Sequence, residues 1–301
     1  MHALITGGTG FIGLELTSAL LRDGHAVTVL TRDPKRALRR LPSGATALDD
    51  LAALDGVDAV VNLAGENLGA GRWNSERKQA FYDSRIGTTR RLNDWLAGLS
   101  RRPSVLVSGS AIGYYGPRGD ERITEDSAPG SDFSAGLCRA WEIEAQKAEA
   151  LGLRVCRVRT GIVLGPNGPA GGGALAQMLP PFRLGAGGPM GTGRQWMSWV
   201  HRADLVALIR WLIETGSAHG AYNGTAPEPV TNAEFAKALG RAVHRPALLP
   251  MPRFALRAIV GEMAEILLTG QKVLPQRSLD QGFRFRFKAL PEALADVLAT
   301  R

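Results

Sequence analysis

Three glycines, each separated from the next by two residues, constrain this chain more than any other feature. They are Gly7, Gly10 and Gly13, within Thr6-Gly7-Gly8-Thr9-Gly10-Phe11-Ile12-Gly13. A short apolar run, Ala3 to Thr6, precedes them and reads as a strand. Phe11 to Arg22 follows, with Ile12, Leu16, Ala19 and Leu20 at helical spacing. Between a strand and a helix, Gly7 suits a sharp turn, Gly10 lets the backbone approach a pyrophosphate, and Gly13 lets the helix pack closely on the strand. The start of the helix offers amide hydrogens and positive partial charge to phosphate groups. The expected ligand is a dinucleotide held by Gly7, Thr9, Gly10, Phe11, Ile12 and Gly13.

The second strand, Ala26 to Leu30, reaches Thr31-Arg32. An acidic residue at this point would accept hydrogen bonds from the adenosine ribose and select NAD. Arg32, 19 residues after Gly13, instead suits a 2′-phosphate. NADP is therefore expected in preference to NAD, with Lys35 and Arg36 as reinforcement. The competing reading makes Arg32 an ordinary exposed arginine and gives the ribose to Asp33. A further apolar run, Val57 to Leu63, ends in Asn62-Leu63-Ala64-Gly65, where small residues let Leu63, Ala64 and Gly65 pass close to the cofactor.

Strand-like and helix-like segments alternate through the first half. After Trp73 to Leu99, one long helix or two joined ones, come a strand at Val105 to Ser108, a helix from about Ser134 to Leu151 and a strand at Val155 to Val158. This order predicts an α/β fold, a Rossmann-like doubly wound parallel sheet with a smaller, mostly helical C-terminal substrate domain. Residues 1–163 are expected to form the dinucleotide-binding core and 164–301 the substrate-binding portion, with about 199–225 returning to the core. Leu164 to Gly193 is rich in glycine and proline, including Gly171-Gly172-Gly173, yet it carries Leu175, Met178, Leu179 and Phe182. It reads as a partly ordered active-site loop. Helices are expected at Ala203 to Glu214, Asn232 to Ala242 and Phe254 to Leu268.

Bulk properties narrow the function classes. The 301 residues are 45% hydrophobic, ample for a large core, and no apolar run reaches membrane-spanning length. Met1 leads directly into Ala3-Leu4-Ile5, which reads as a first strand rather than a leader, so a soluble cytoplasmic protein without membrane association is expected. Cys138 and Cys156 are the only cysteines, and the histidines lack ligand spacing, which argues against a disulfide framework or a metal site. The net charge of +8 raises the question of a nucleic-acid partner. The basic residues are dispersed along the chain, so no nucleic-acid partner is expected.

Together, Gly7 to Gly13, Asn62 to Gly65 and Ser108-Gly109-Ser110-Ala111-Ile112-Gly113-Tyr114-Tyr115-Gly116 resemble the extended short-chain dehydrogenase/reductase superfamily. More narrowly, three segments look like the NAD(P)-dependent epimerase-family branch once labelled cell-division-inhibitor homologues. They are Cys138-Arg139-Ala140-Trp141-Glu142, Gly193-Arg194-Gln195-Trp196-Met197-Ser198-Trp199, and Leu274 to Arg277 leading to Gly282-Phe283. The resemblance implies a Tyr-x-x-x-Lys pair with a nearby Ser or Thr, in which the lysine lowers the tyrosine's pKa for proton exchange.

Here the pair is missing. Ser110 matches the hydroxyl position, but counting back from Glu142 puts Ser134 at the tyrosine and Cys138 at the lysine. Tyr114 and Tyr115 are substitute proton donors, with Arg139 or Arg159 available to stabilise a phenolate; their plain alternative is loop packing. Glu142 either pairs with an arginine or serves the pocket. Arg194 and Trp196 are the candidate substrate contacts. His201 and Asp204 are read as holding their segment in place, and Trp199 as a hydrophobic hinge. Two functions stay open: an atypical NADP(H)-dependent oxidoreductase or epimerase with a small polar, nucleotide-sugar-like substrate, or a catalytically impaired NADP(H)-binding regulator. The amphipathic Phe254 to Leu268 segment leaves two packing options, on the chain itself or across a homodimer.

Overall fold

The computed structural model describes residues 1–168, 171 and 173–299. Gly172, part of the glycine run noted above, lies outside the described residues. In chain order the strands are β1 (His2–Thr6), β2 (Ala26–Leu30), β3 (Thr46–Leu48), β4 (Ala59–Asn62), β5 (Val105–Ala111), β6 (Arg122–Ile123) and β7 (Arg154–Thr160). β8 (Ile162–Leu164), β9 (Trp196–Met197), β10 (Trp199–His201), β11 (Gly220–Gly224), β12 (Val230–Thr231) and β13 (Lys272–Val273) complete them. The helices are α1 (Gly13–Arg22), α2 (Pro34–Leu38), α3 (Ser75–Tyr82), α4 (Thr88–Gly98), α5 (Phe133–Gln146) and α6 (Gly173–Arg183). Then come α7 (Arg202–Glu214), α8 (Asn232–Ala242), α9 (Arg253–Val260), α10 (Ala264–Leu268), α11 (Gln276–Asp280) and α12 (Leu290–Ala299).

Seven strands form one sheet in the order β11-β7-β5-β4-β1-β2-β3. Every pairing in it is parallel. The chain winds outward from β1 through β2 to β3, then crosses back to β4 and outward again. The strand order therefore reverses beside β1, which is where a doubly wound sheet opens its ligand crevice. Alternation along β1 builds the core on both faces. Ala3 and Ile5 join Leu16 and Leu20 of α1 and Leu205 and Leu208 of α7. Leu4 faces the other way, toward Leu92 and Leu96 of α4 and Ala145 of α5. A separate core packs Leu175 and Phe182 against Trp199, Phe235 and Leu294.

Several boundaries differ from the periodicity, each for a local reason. The first helix begins at Gly13, because Phe11 and Ile12 belong to the turn. α3 and α4 are joined by a π-helical turn, Asp83–Gly87. The segment Leu164 to Gly193 contains α6, which buries Leu175 and Phe182. The helix expected over Phe254 to Leu268 breaks at Gly261, whose φ of +63° ends α9 before α10 starts. β11 returns from the C-terminal half to pair with β7 as an outer strand of the sheet. Among the described residues, no helix is long and apolar enough to cross a membrane.

Candidate active site

The turn after β1 is held from below. Thr6 donates its hydroxyl hydrogen to Asn62 Oδ1 at 2.6 Å and accepts from the Ala64 amide at 3.1 Å, tying the ends of β1 and β4 together. Gly7 has φ +70°, and a Cβ there would stand 2.5 Å from Leu63 O. A Cβ on Gly13 would overlap the Gly7 carbonyl, so α1 can approach β1 this closely only without a side chain at that position. Gly10 is different. It is exposed, and a Cβ there would meet only Gly7 O, at 3.1 Å. The space above Gly10 is thus open for a group from outside the chain. α1 starts at Gly13 with no side chain capping its amides, which leaves its positive end available to an anion.

Half-buried Phe11 extends from this turn beneath Arg202, whose guanidinium carbon lies 4.6 Å from the ring centroid, and packs against Gly165 and Gly173. At the end of β2, Arg32 is exposed and, among the described residues, forms no ion pair. Asp33 is engaged elsewhere: its carboxylate accepts from the Arg36 amide at 2.9 Å and caps α2. The two readings of this position therefore differ in the structure: among the described residues the arginine has no ion pair, while one oxygen of the acid is used as the α2 cap.

At the end of β5 lies a closed polar network. Ser110 donates to Glu142 Oε1 at 2.7 Å. Glu142 is clasped by Arg159 through Nε–Oε1 at 2.8 Å and Nη2–Oε2 at 2.9 Å. Arg159 Nη1 also donates to the Tyr115 hydroxyl at 2.9 Å and to Glu125 O at 3.0 Å. Tyr115 in turn donates to Asn223 Oδ1 at 2.6 Å. Burial pushes the Tyr115 phenol up to about 12, outweighing the neighbouring guanidinium. Tyr114 is half-buried and lies with its ring 3.5 Å from the Arg159 guanidinium carbon. Among the described residues its hydroxyl has no hydrogen-bond partner.

Asp132 caps α5 by accepting from the Ala135 amide at 2.7 Å. On its first turns, Ser134 and Cys138 face the loop after β5: a Cβ on Gly113 would lie 3.2 Å from Ser134 Cβ and 3.8 Å from Cys138 Sγ. Cys138 is buried, and burial pushes its thiol up to about 12. Arg139, the next residue along the helix, is exposed. Arg85, in the π-helical turn, lies against Gly65 and over the Trp141 ring, with its guanidinium carbon 5.4 Å from the centroid.

Among the described residues, the two substrate candidates form no hydrogen bond with this network. Arg194 is exposed. Trp196 donates its indole N–H to Asp120 at 2.7 Å and carries the Lys272 ammonium 4.1 Å from its ring centroid, so much of its binding capacity is already used. His201 Nδ1 accepts from the Ala203 amide and caps α7, while Asp204 accepts from the Arg286 and Phe287 amides. Both hold their segment in place. Trp199 is fully buried in the C-terminal core. Among the described residues, no cluster of three or more His, Cys, Asp or Glu side chains is arranged to hold a metal ion.

Sequence reading missed Arg85 altogether and left Glu142 between two roles. The one local signal for Arg85 is the π-helical turn, a form common at functional sites, and hydrophobic spacing does not reveal it.

A doubly wound sheet with a glycine-lined turn at its reversal point defines a dinucleotide-binding protein of the short-chain dehydrogenase/reductase type. The chain belongs to the NAD dependent epimerase/dehydratase family, whose sequence model matches residues 3–223; residues 251–297 match a model described as a domain of unknown function. An Arabidopsis thaliana relative, the chloroplastic homolog of epimerase family protein SDR39U1, is 42% identical over 99% of this chain and 87% of its own length. The crystal structure of human epimerase family protein SDR39U1 (isoform 2), solved with NADPH, is 38% identical, covers all of both chains and superposes with a TM-score of 0.90. A nucleoside-diphosphate sugar epimerase from Corynebacterium glutamicum is 32% identical with a TM-score of 0.76, covering 99% of this chain and 58% of that longer one.

Proposed function

We propose that this protein binds NADP(H) and acts as an atypical oxidoreductase or epimerase on a small polar substrate of the nucleotide-sugar class. The observation that carries the cofactor choice is the division of labour after β2, where Arg32 is exposed and, among the described residues, unpaired while Asp33 caps α2. NADPH in the human relative supports it. The backbone from Gly7 through Thr9, Gly10, Phe11 and Ile12 to Gly13 would hold the diphosphate. Arg32 would hold the 2′-phosphate, and Leu63, Ala64 and Gly65 would line the path between the halves. Bound NADP(H) supplies hydride exchange at its nicotinamide ring. Residues 1–163 form the cofactor side in this reading. Residues 164–301, apart from the return at about 199–225, form the substrate side with Arg194 and Trp196.

Among the hydroxyl groups, Tyr114 is the proton-exchanging candidate, because its hydroxyl is uncommitted and a guanidinium lies against its ring. Ser110 and Tyr115 are positioning residues, since the hydrogens of both are directed at protein partners, Glu142 and Asn223. The Corynebacterium relative's description as a nucleoside-diphosphate sugar epimerase supports the substrate class. Calorimetry on nucleotide-stripped protein should register NADPH more strongly than NADH. Incubation with NADPH or NADP and a panel of carbonyl compounds and nucleoside-diphosphate sugars should show a change in nicotinamide absorbance or an epimerised product. Absence of NADPH binding would overturn the proposal.

A second reading rests on Cys138. A buried thiol raised to about 12 stays neutral and cannot replace the lysine's charge. A regulator that binds NADP(H) without turnover would show cofactor affinity, inertness across the panel, and a protein partner whose capture changes with NADPH.

A further inference from the structure

The usual lysine is absent at Cys138, yet the space beside it is not without a cation. Arg85 enters that space from the neighbouring helix. Its guanidinium carbon would be 2.9 Å from a Cβ on Gly65, so the glycine at the end of the β4 segment is what admits it. It lies over Trp141, which is one turn along α5 from Cys138 and on the same face. Arg85 lies close enough to Cys138 to oppose, in small part, the effect of burial on its thiol.

Protein partners use only part of this arginine. Nη2 donates to Glu66 O at 3.0 Å and Nη1 to Phe81 O at 3.3 Å, with Ser84 Oγ at 3.5 Å. Among the described residues, Nε has no partner and the guanidinium forms no ion pair. The Glu66 carboxylate is felt only at longer range. A guanidinium carries five N–H donors, and a partly buried cation left without a counter-charge is costly. Burial lowers its pKa, in keeping with that cost.

We infer that Arg85 is a positioning residue for the cofactor's nicotinamide half, donating hydrogen bonds to its ribose hydroxyls in the place that Cys138 leaves without a lysine. The sheet supports this assignment. β1 and β2 form the adenosine side, and β4 and β5 form the other mononucleotide half, with Arg85 against Gly65 just beyond the end of β4. The diphosphate has its own site at Gly10 and the start of α1, one strand away from Gly65. The inference rests on the NADP(H) reading above and adds a contact within it.

Calorimetry with two probes tests it: NADPH, and adenosine 2′-phosphate 5′-diphosphate, which lacks the second ribose. Arg85→Met, which keeps the stem, should weaken NADPH about tenfold or more, the loss of a charged hydrogen bond. It should leave the shorter probe within about twofold of wild type, which also shows that the variant is folded. Arg85→Lys should fall between the two proteins for NADPH. Unchanged NADPH affinity in Arg85→Met overturns the inference. Equal losses for both probes overturn it as well, since the contact would then lie on the diphosphate or act through the fold. Wild-type protein that binds neither probe removes the cofactor reading and this inference with it, an outcome distinct from the other two.

Discussion

Glu142 of α5 and Arg159 of β7 meet in a two-point ion pair, Nε to Oε1 at 2.8 Å and Nη2 to Oε2 at 2.9 Å, with side chains 4% and 5% exposed. Arg157 stands 3.8 Å from the same carboxylate, so Glu142 lies between two arginines and, among the described residues, is the acid paired with both. Glu142→Leu strands both cations and should cost about 3–5 kcal/mol in urea unfolding. Arg159→Met leaves Glu142 with Arg157 and should cost less. If Glu142→Leu proves the milder of the two, this account of the network fails.

His201 predicts an acid-sensitive fold. Burial lowers its pKa to about 4, outweighing the Asp296 carboxylate 3.3 Å away. The unfolded chain, with an ordinary imidazole, binds a proton that the folded chain refuses. The stability from this site is therefore complete above the ordinary histidine pKa and is lost as pH falls through that value toward about 4. The full loss is about 3 kcal/mol. His201→Asn keeps a capping acceptor for α7 and should flatten that part of the stability–pH curve. An unaltered slope in the variant would assign the acid sensitivity to other groups.

Arg32→Asp reverses the charge at the position proposed to hold the 2′-phosphate. NADPH should weaken by about ten- to a hundredfold while NADH changes little, because only NADPH carries the lost partner. Equal losses in fluorescence titrations would refute the assignment.

Gly10 and Gly13 should part company when each becomes alanine. At Gly13 the new methyl overlaps Gly7 O within the strand–helix contact, and a loss of about 1–3 kcal/mol is expected even without cofactor. At Gly10 the methyl points into open space apart from Gly7 O at 3.1 Å, so stability should move by less than about 1 kcal/mol while NADPH binding falls. Thermal unfolding with and without NADPH reads both effects. Gly10→Ala that binds NADPH normally would remove the diphosphate from this turn.

The thiols should be inert. Burial raises Cys138 to about 12 and Cys156 to about 11, so the native protein at mildly alkaline pH should resist iodoacetamide until it is unfolded. Rapid alkylation of Cys138 in folded protein would contradict its placement.

What was legible in the sequence was local. Gly7, Gly10 and Gly13 act through a contiguous stretch of backbone, so their spacing carries the turn. The short apolar run of β1 and the helical spacing in α1 carry a buried strand with a helix packed on it. β3 escaped notice because Thr46–Leu48 is three residues long and only partly buried. β11 did so because Gly220–Gly224 holds two glycines and an asparagine, and becomes a strand only by pairing with β7.

The amino-acid order alone carried the alternation of strands and helices, the glycine-rich turn between β1 and α1, and Ser134 and Cys138 where the resemblance implies tyrosine and lysine, because each is written in neighbouring residues. Tertiary structure decided the rest. It gave Ser110 to Glu142 and placed Arg85 against Gly65 beside Cys138. It also joined Tyr115 to Asn223, 108 positions away, leaving Tyr114 with the uncommitted hydroxyl. Side-chain pairing across such separations depends on which faces the packed sheet brings together, and no local spacing encodes that.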